Sequence, residues 1–149
     1  MTQHELFLWA LRGDEPAVEF IELLGTISQV WDDLVDGDPA EADDINRAFR
    51  LALIAVPQNL FYQAYQHKLV PVMDAAILDW MTATALERRS EQGAGLAYVL
   101  RDSLAGVVVY CAQLLGGTEW AMEVAPRVRL EIHDETFADY MAGLHDELH

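Results

Sequence analysis

Apolar residues recur every three or four positions along most of this chain, the period of helices with one buried face. From Ala17 to Val35 the stripe is Phe20, Leu23, Leu24, Ile27, Trp31 and Leu34. Glu22, Gln29, Asp33 and Asp36 take the opposite side, with Asp32 at the boundary. A short helix precedes this one, opened by the capping-box pair Thr2 and Glu5 and closed at Gly13-Asp14. Pro16 then falls in the first turn, where a missing N–H costs nothing. Gly37-Asp38-Pro39 predicts a turn, and Asp38 with Glu41 a cap for a third helix that Pro57 stops. Gln58-Asn59 starts a short helix carrying Phe61, Tyr62 and Tyr65, and Pro71 opens a longer one to about Arg89. Gly93-Ala94-Gly95 separates it from an apolar helix, Leu96 to Leu115, that Gly116-Gly117 closes. Thr118 caps a short helix interrupted by Pro126, and the tail from about Asp134 to Leu148 is again amphipathic. Residues 128–132 alternate like a strand, but one strand has nothing to pair with. The expectation is a single all-α domain over residues 1–149, a bundle of about seven or eight helices.

Composition changes that picture little: 149 residues with a 52% hydrophobic share suffice for a core without metal or disulfide staples. Cys111, among Val109, Tyr110 and Ala112, reads as a packed thiol. Charge changes it more. Residues 1–46 hold 12 acids against one Arg and residues 131–149 hold six acids and no base, within a net charge of −16. Such a field repels phosphate backbones and anionic lipid, which argues against direct nucleic-acid binding. The first residues lack the basic and apolar regions of a signal peptide. The longest uncharged apolar stretch, Ser103 to Gly117, falls short of the roughly 20 residues that span a bilayer. The expected location is cytoplasmic, with no membrane span.

Candidate chemistry lies in Trp31-Asp32-Asp33-Leu34-Val35-Asp36-Gly37-Asp38. Asp32 and Asp36 stand one helical turn apart, where like charges cost a few tenths of a kcal/mol. Mg²⁺, which takes carboxylate and phosphate oxygens, would offset that repulsion; a solvated acidic helix end is the other explanation. Trp31, packed on the apolar stripe, would fix the orientation of the carboxylates.

The segment Gln29 to Gly37 resembles the first aspartate-rich motif of squalene and phytoene synthases, members of the all-α class I isoprenoid synthases. Residues 49–80, with Ala55-Val56-Pro57 and Pro71-Val72-Met73, are similar to the helix pair that follows it. Leu104 to Cys111 is similar to that family's glycine- and Tyr-Cys-containing central helix. The resemblance implies an isoprenoid synthase-like fold and a Mg²⁺-dependent transferase or synthase acting on, or a degenerate relative binding, a prenyl diphosphate-type ligand. Asp32 and Asp36 would be metal ligands, Asp33 a second-shell or third ligand, and Arg47 or Arg50 the partner of phosphate oxygens. The family's second motif is matched only by Glu135-Thr136-Phe137-Ala138-Asp139, which makes Glu135 and Asp139 the remaining metal candidates. The chain then runs for about one more helix where the family has several, so a homodimer sharing two acidic faces is one way to complete such a site.

Two other classes compete. A non-enzymatic protein could use its acidic ends to engage a basic partner as a charge mimic or inhibitor. Glu19-x-x-Glu22 and Asp33-x-x-Asp36 also echo the paired acids of all-α nucleotide pyrophosphohydrolases. One straight helix would hold those pairs about 20 Å apart, so that reading needs a break at Gly25. His145 and His149 have the spacing of a helical zinc pair, but they fall at the C-terminal end, where fraying is expected, and acidic composition accounts for the repeated His-Asp-Glu triplet at residues 133–135 and 145–147. No phosphate-binding loop, Cys-x-x-Cys, dinucleotide fingerprint or nucleophile elbow is present.

Overall fold

A computed structural model describes residues 1–133 and 135–147. The order is α1 (Gln3–Ala10), α2 (Glu15–Asp36), α3 (Ala42–Arg50), a π-helical turn (Leu51–Ala55) and α4 (Val56–Gln58). There follow α5 (Leu60–Leu86), α6 (Glu91–Leu100), α7 (Ser103–Ile132) and α8 (Phe137–Glu147). No strand occurs among the described residues, so the fold is all-α. Residues 128–132, which alternate in sequence, form the end of α7.

The expected seven or eight substantial helices reduce to five of ten residues or more: α2, α5, α6, α7 and α8. The reason lies in how the breakers are absorbed. Pro71 was expected to open a helix, but it lies inside α5, whose departure from helical geometry falls instead at Tyr65 (φ −120°, ψ 17°). Pro57 does not stop the third helix, because the chain passes through the π turn and α4 before Asn59 caps α5. Pro126 lies within α7. The Asp38–Glu41 cap is not made; Glu41 is the N-cap of α3 and makes no side-chain capping bond. Thr2 caps α1 as expected, its hydroxyl accepting from the Glu5 amide at 3.1 Å.

α7 is continuous only by hydrogen bonding. Gly117 inside it has φ 87° and ψ 174°, a conformation open to glycine and strained for any L side chain. A straight helix would hold Asp102 and Arg129 about 40 Å apart. They meet instead, Arg129 Nη1 donating to the Asp102 carbonyl and to its Oδ2, each at 3.0 Å. The chain therefore doubles back at Gly117, where the sequence places its Gly-Gly stop. Gly116 is required as well: a Cβ there would lie 2.5 Å from the Trp120 ring, which is pinned by Nε1 donating to the Ala10 carbonyl at 2.8 Å. Gly117→Ala is expected to cost roughly 1–3 kcal/mol, read as a drop in the midpoint of urea unfolding with the slope unchanged.

The core joins α1, α2, α5 and both arms of α7. Leu6, Leu11, Phe20, Ile21, Leu69, Cys111, Val108, Val124 and Val128 are fully buried. Phe20 sits between Phe61 and Tyr62, with ring centroids 5.9 Å away on each side. Asn59, the one buried polar residue among those described, accepts from the Tyr62 amide and donates to the Pro16 carbonyl, each at 2.9 Å. It thereby ties the start of α5 to the start of α2. The inward stripe of α2 weakens along its length: Phe20 is buried, Trp31 half-buried, and Leu34 exposed. The acidic end of α2 thus leaves the core and borders a cavity.

Candidate functional site

A cavity of about 800 Å³ opens beside the C-terminal end of α2. Asp32, Val35 and Asp36 of α2 and Asp38 beyond it form one side. Thr84, Glu87 and Arg88 at the end of α5, Tyr98 of α6, Arg101 and Asp102 form another. His133, Glu135, and Tyr140 and Leu144 of α8 close it. Sequence reasoning paired Asp32 and Asp36 with Glu135, and all three line this one cavity.

The other candidates lie elsewhere. Asp33 turns to the helix surface and accepts from Gln29 Nε2 at 3.0 Å. Asp139 is exposed and does not line the cavity; its amide donates to Thr136 Oγ1 at the start of α8. Arg47 lines a separate groove of about 360 Å³ with His4, Glu15, Glu19 and Glu22, near the opposite end of α2, and Arg50 lines neither. α2 runs unbroken through Gly25, so Glu19 and Glu22 face one cavity and Asp36 the other. His149 lies outside the described residues.

Two arginines line this cavity, Arg88 and Arg101, neither of them among the candidates the sequence suggests. Arg101 pairs with Glu87 through two bonds, Nη2 to Oε2 at 2.8 Å and Nε to Oε1 at 3.3 Å. Tyr140 donates its hydroxyl to the same Glu87. Burial works to raise the Glu87 pKa, but the bonds from Arg101 and Tyr140 outweigh it and hold the carboxyl below its ordinary value. The Arg101 guanidinium lies over the Trp80 ring, 4.9 Å from its centroid. Trp80 packs in turn on Trp31 at 4.0 Å between centroids. The helix carrying Asp32 is thus fixed relative to Arg101 by two aromatic rings. The signal available in the sequence was a charged pair, Arg101-Asp102, interrupting an otherwise apolar stretch.

Two buried polar atoms of this wall, Arg101 Nη1 and Asp102 Oδ1, have no hydrogen-bond partner in the protein. Asp102 Oδ2 is held by Arg129, and its side chain is only 7% exposed. Asp32 is disturbed by its place: burial first, then the charge of Asp36, raises its pKa above the ordinary value, against the opposing pull of Arg101. Cys111 plays no part here, since burial in the core pushes its thiol up to about 12.

Among the described residues, no three carboxylate, imidazole or thiolate groups converge closely enough to make a ready metal cage. The donors fit a different mode, in which one or two carboxylates hold Mg²⁺ and a phosphorylated ligand supplies the remaining oxygens. Asp32 and Asp36, one turn apart, are the α2 carboxylates that line the cavity. No protein-family model, curated protein or solved structure matches this chain.

Proposed function

We propose that this cavity binds a diphosphate-type ligand together with Mg²⁺, the cation bridging the ligand to Asp32 and Asp36. The observation that carries the reading is Arg101, a charged side chain lining the same cavity as Asp32, Asp36 and Glu135, whose buried Nη1 has no partner within the protein. A phosphate oxygen satisfies that donor, and Arg88 adds a second positive charge to the wall. The acids outnumber the bases, so a bare anion is disfavoured and a metal-chelated one is not. Val35, Leu104, Ile132 and Leu144 supply an apolar strip that suits a hydrocarbon tail, in keeping with a prenyl diphosphate. The resemblance of residues 29–37 to the aspartate-rich motif of isoprenoid synthases supports the same chemistry. The proposal covers binding and assigns no residue a step in turnover.

Thermal unfolding with Mg²⁺ and inorganic pyrophosphate tests it. At ligand concentrations 100-fold above Kd the folded state gains about 2.7 kcal/mol. Asp32→Asn is expected to do two opposite things. Because the folded-state pKa of Asp32 is raised, its charged form costs stability, and that cost appears as pH rises from 3.8 through the folded value. The variant should therefore be more stable than the parent at pH 7 without ligand, by about 0.5 kcal/mol, and equal to it in acid. It should lose most of the gain from Mg²⁺ with pyrophosphate. A parent that ignores both additions, or a variant that responds as the parent does, removes the proposal.

A further inference from the structure

α8 forms one wall of the cavity and adds little to the rest of the fold. Tyr140, Gly143 and Leu144, at i, i+3 and i+4, line the cavity, while Ala138, Asp139 and Ala142 on its other sides are exposed. Leu144 is the one buried residue among those described in α8, and none of them joins the main core. We propose that α8 is a lid: it lifts away from α6 as a unit to admit a ligand and returns to enclose it. What the lid encloses rests on the diphosphate reading of the cavity; that it moves does not.

The described attachments of α8 converge on two side chains. Tyr98 of α6 donates its hydroxyl to the Glu135 carbonyl at 2.7 Å, just before α8 begins. Its ring meets those of Phe137 and Tyr140, each with centroids 5.3 Å away. Glu87, at the end of α5, accepts the Tyr140 hydroxyl. Burial, then that bond, raises the Tyr140 pKa, so the hydroxyl keeps its proton and remains a donor through neutral and mildly alkaline pH. The anchors themselves stay in place when α8 leaves. Glu87 keeps both bonds from Arg101, Tyr98 stays stacked on His133 at 4.1 Å, and Arg129 holds the end of α7 to Asp102. Among the described contacts, opening therefore breaks at most the two hydroxyl bonds and the two ring contacts.

α8 is also weak on its own terms. Its 11 residues fall below the roughly 12–15 at which an isolated helix becomes even marginal in water. Gly143 lies in its interior, where glycine lowers helix stability about fivefold against alanine. Packing does not demand that glycine, since a Cβ added there meets nothing within 4 Å. Few buried apolar groups mark a segment that opens before the whole protein unfolds. A ligand touching Tyr140 and Leu144 from inside the cavity contacts the closed form alone, and so shifts α8 toward it.

Native-state hydrogen exchange of the full chain tests the movement without ligand. Amides of Met141 to Asp146 are expected to share one opening constant, insensitive to low urea. It should be at least about 100-fold larger than that of Val107 to Ala112 in the core. Tyr140→Phe should raise it about tenfold, as loss of a bond to a charged acceptor does. Gly143→Ala should lower it about fivefold, and provides a second variant should the first fail to fold. Protection that falls steadily toward the C-terminus would show fraying in place of a lid and overturns the proposal. So does an α8 that exchanges only with the core or ignores both variants. Mg²⁺ with inorganic pyrophosphate, about 100-fold above Kd, should then slow α8 exchange in the parent about 100-fold. A melting temperature raised by these additions with α8 exchange unchanged leaves binding intact and overturns the lid. Uniform opening with no change in melting temperature supports the lid and removes the diphosphate reading.

Discussion

Arg101→Met is expected to destabilise the protein by about 3 kcal/mol at pH 7. The Arg101 and Glu87 side chains are 18% and 14% exposed, so water can do little to replace the lost partner. Glu87 would keep its burial and lose two charge-assisted bonds, leaving only Tyr140 to donate to it. The Trp80 ring would also lose the guanidinium that covers it. The pH dependence has a definite sign. The Glu87 pKa is held down in the folded parent, so the stability it contributes is present above the unfolded value of 4.5 and is lost as pH falls through the folded one. The gap between parent and variant should therefore be widest near neutrality and close in acid. Urea unfolding at several pH values measures it; a gap independent of pH would show that Arg101 acts through packing alone. The change also removes the donor on which ligand binding rests, so the pyrophosphate response should vanish with it.

Phe20→Ala should cost as much or more, about 3–5 kcal/mol. The ring is fully buried, and it touches Phe61 and Tyr62 of α5 from the second turn of α2. Its loss opens a cavity between the two helices whose far ends line the site. For a chain of this length each kcal/mol moves Tm by roughly 2–4 °C, so a fall near 10 °C is expected. Scanning calorimetry reads it directly. A drop under a third of that would mean that the surrounding aromatic side chains collapse to fill the space.

The two substitutions probe different levels of the structure. Phe20 is core by its own sequence pattern. Arg101 matters because of what two other helices bring to it. Glu87 follows α5, Tyr140 comes from α8, and Trp80 from the face of α5 that stacks on Trp31. None of those separations carries a period that a reader of the chain could use.

The apolar period was enough to determine that the fold is all-α, the buried face of α2 at Phe20, and the capped starts at Thr2 and Asn59, because each depends on neighbours within about one turn. The Gly116-Gly117 stop was legible for the same reason, since positive φ is a local property of glycine. Local rules failed where longer helices absorbed their breakers: tertiary packing holds Pro71 and Pro126 inside helices that propensity alone would end. They failed again at Leu34, which keeps the helical period but lies past the end of the core. The acidic turn of Asp32 and Asp36 was visible in sequence, and so was Glu135 as its distant counterpart. That Arg101 rather than Arg47 shares their cavity was decided only by the tertiary structure. Arg47 follows on the next helix but packs near the far end of α2, whereas Arg101, between α6 and α7, is held against α5 by Glu87 and the ring of Trp80. Charge type is written in the sequence; which charges meet depends on how the helices cross.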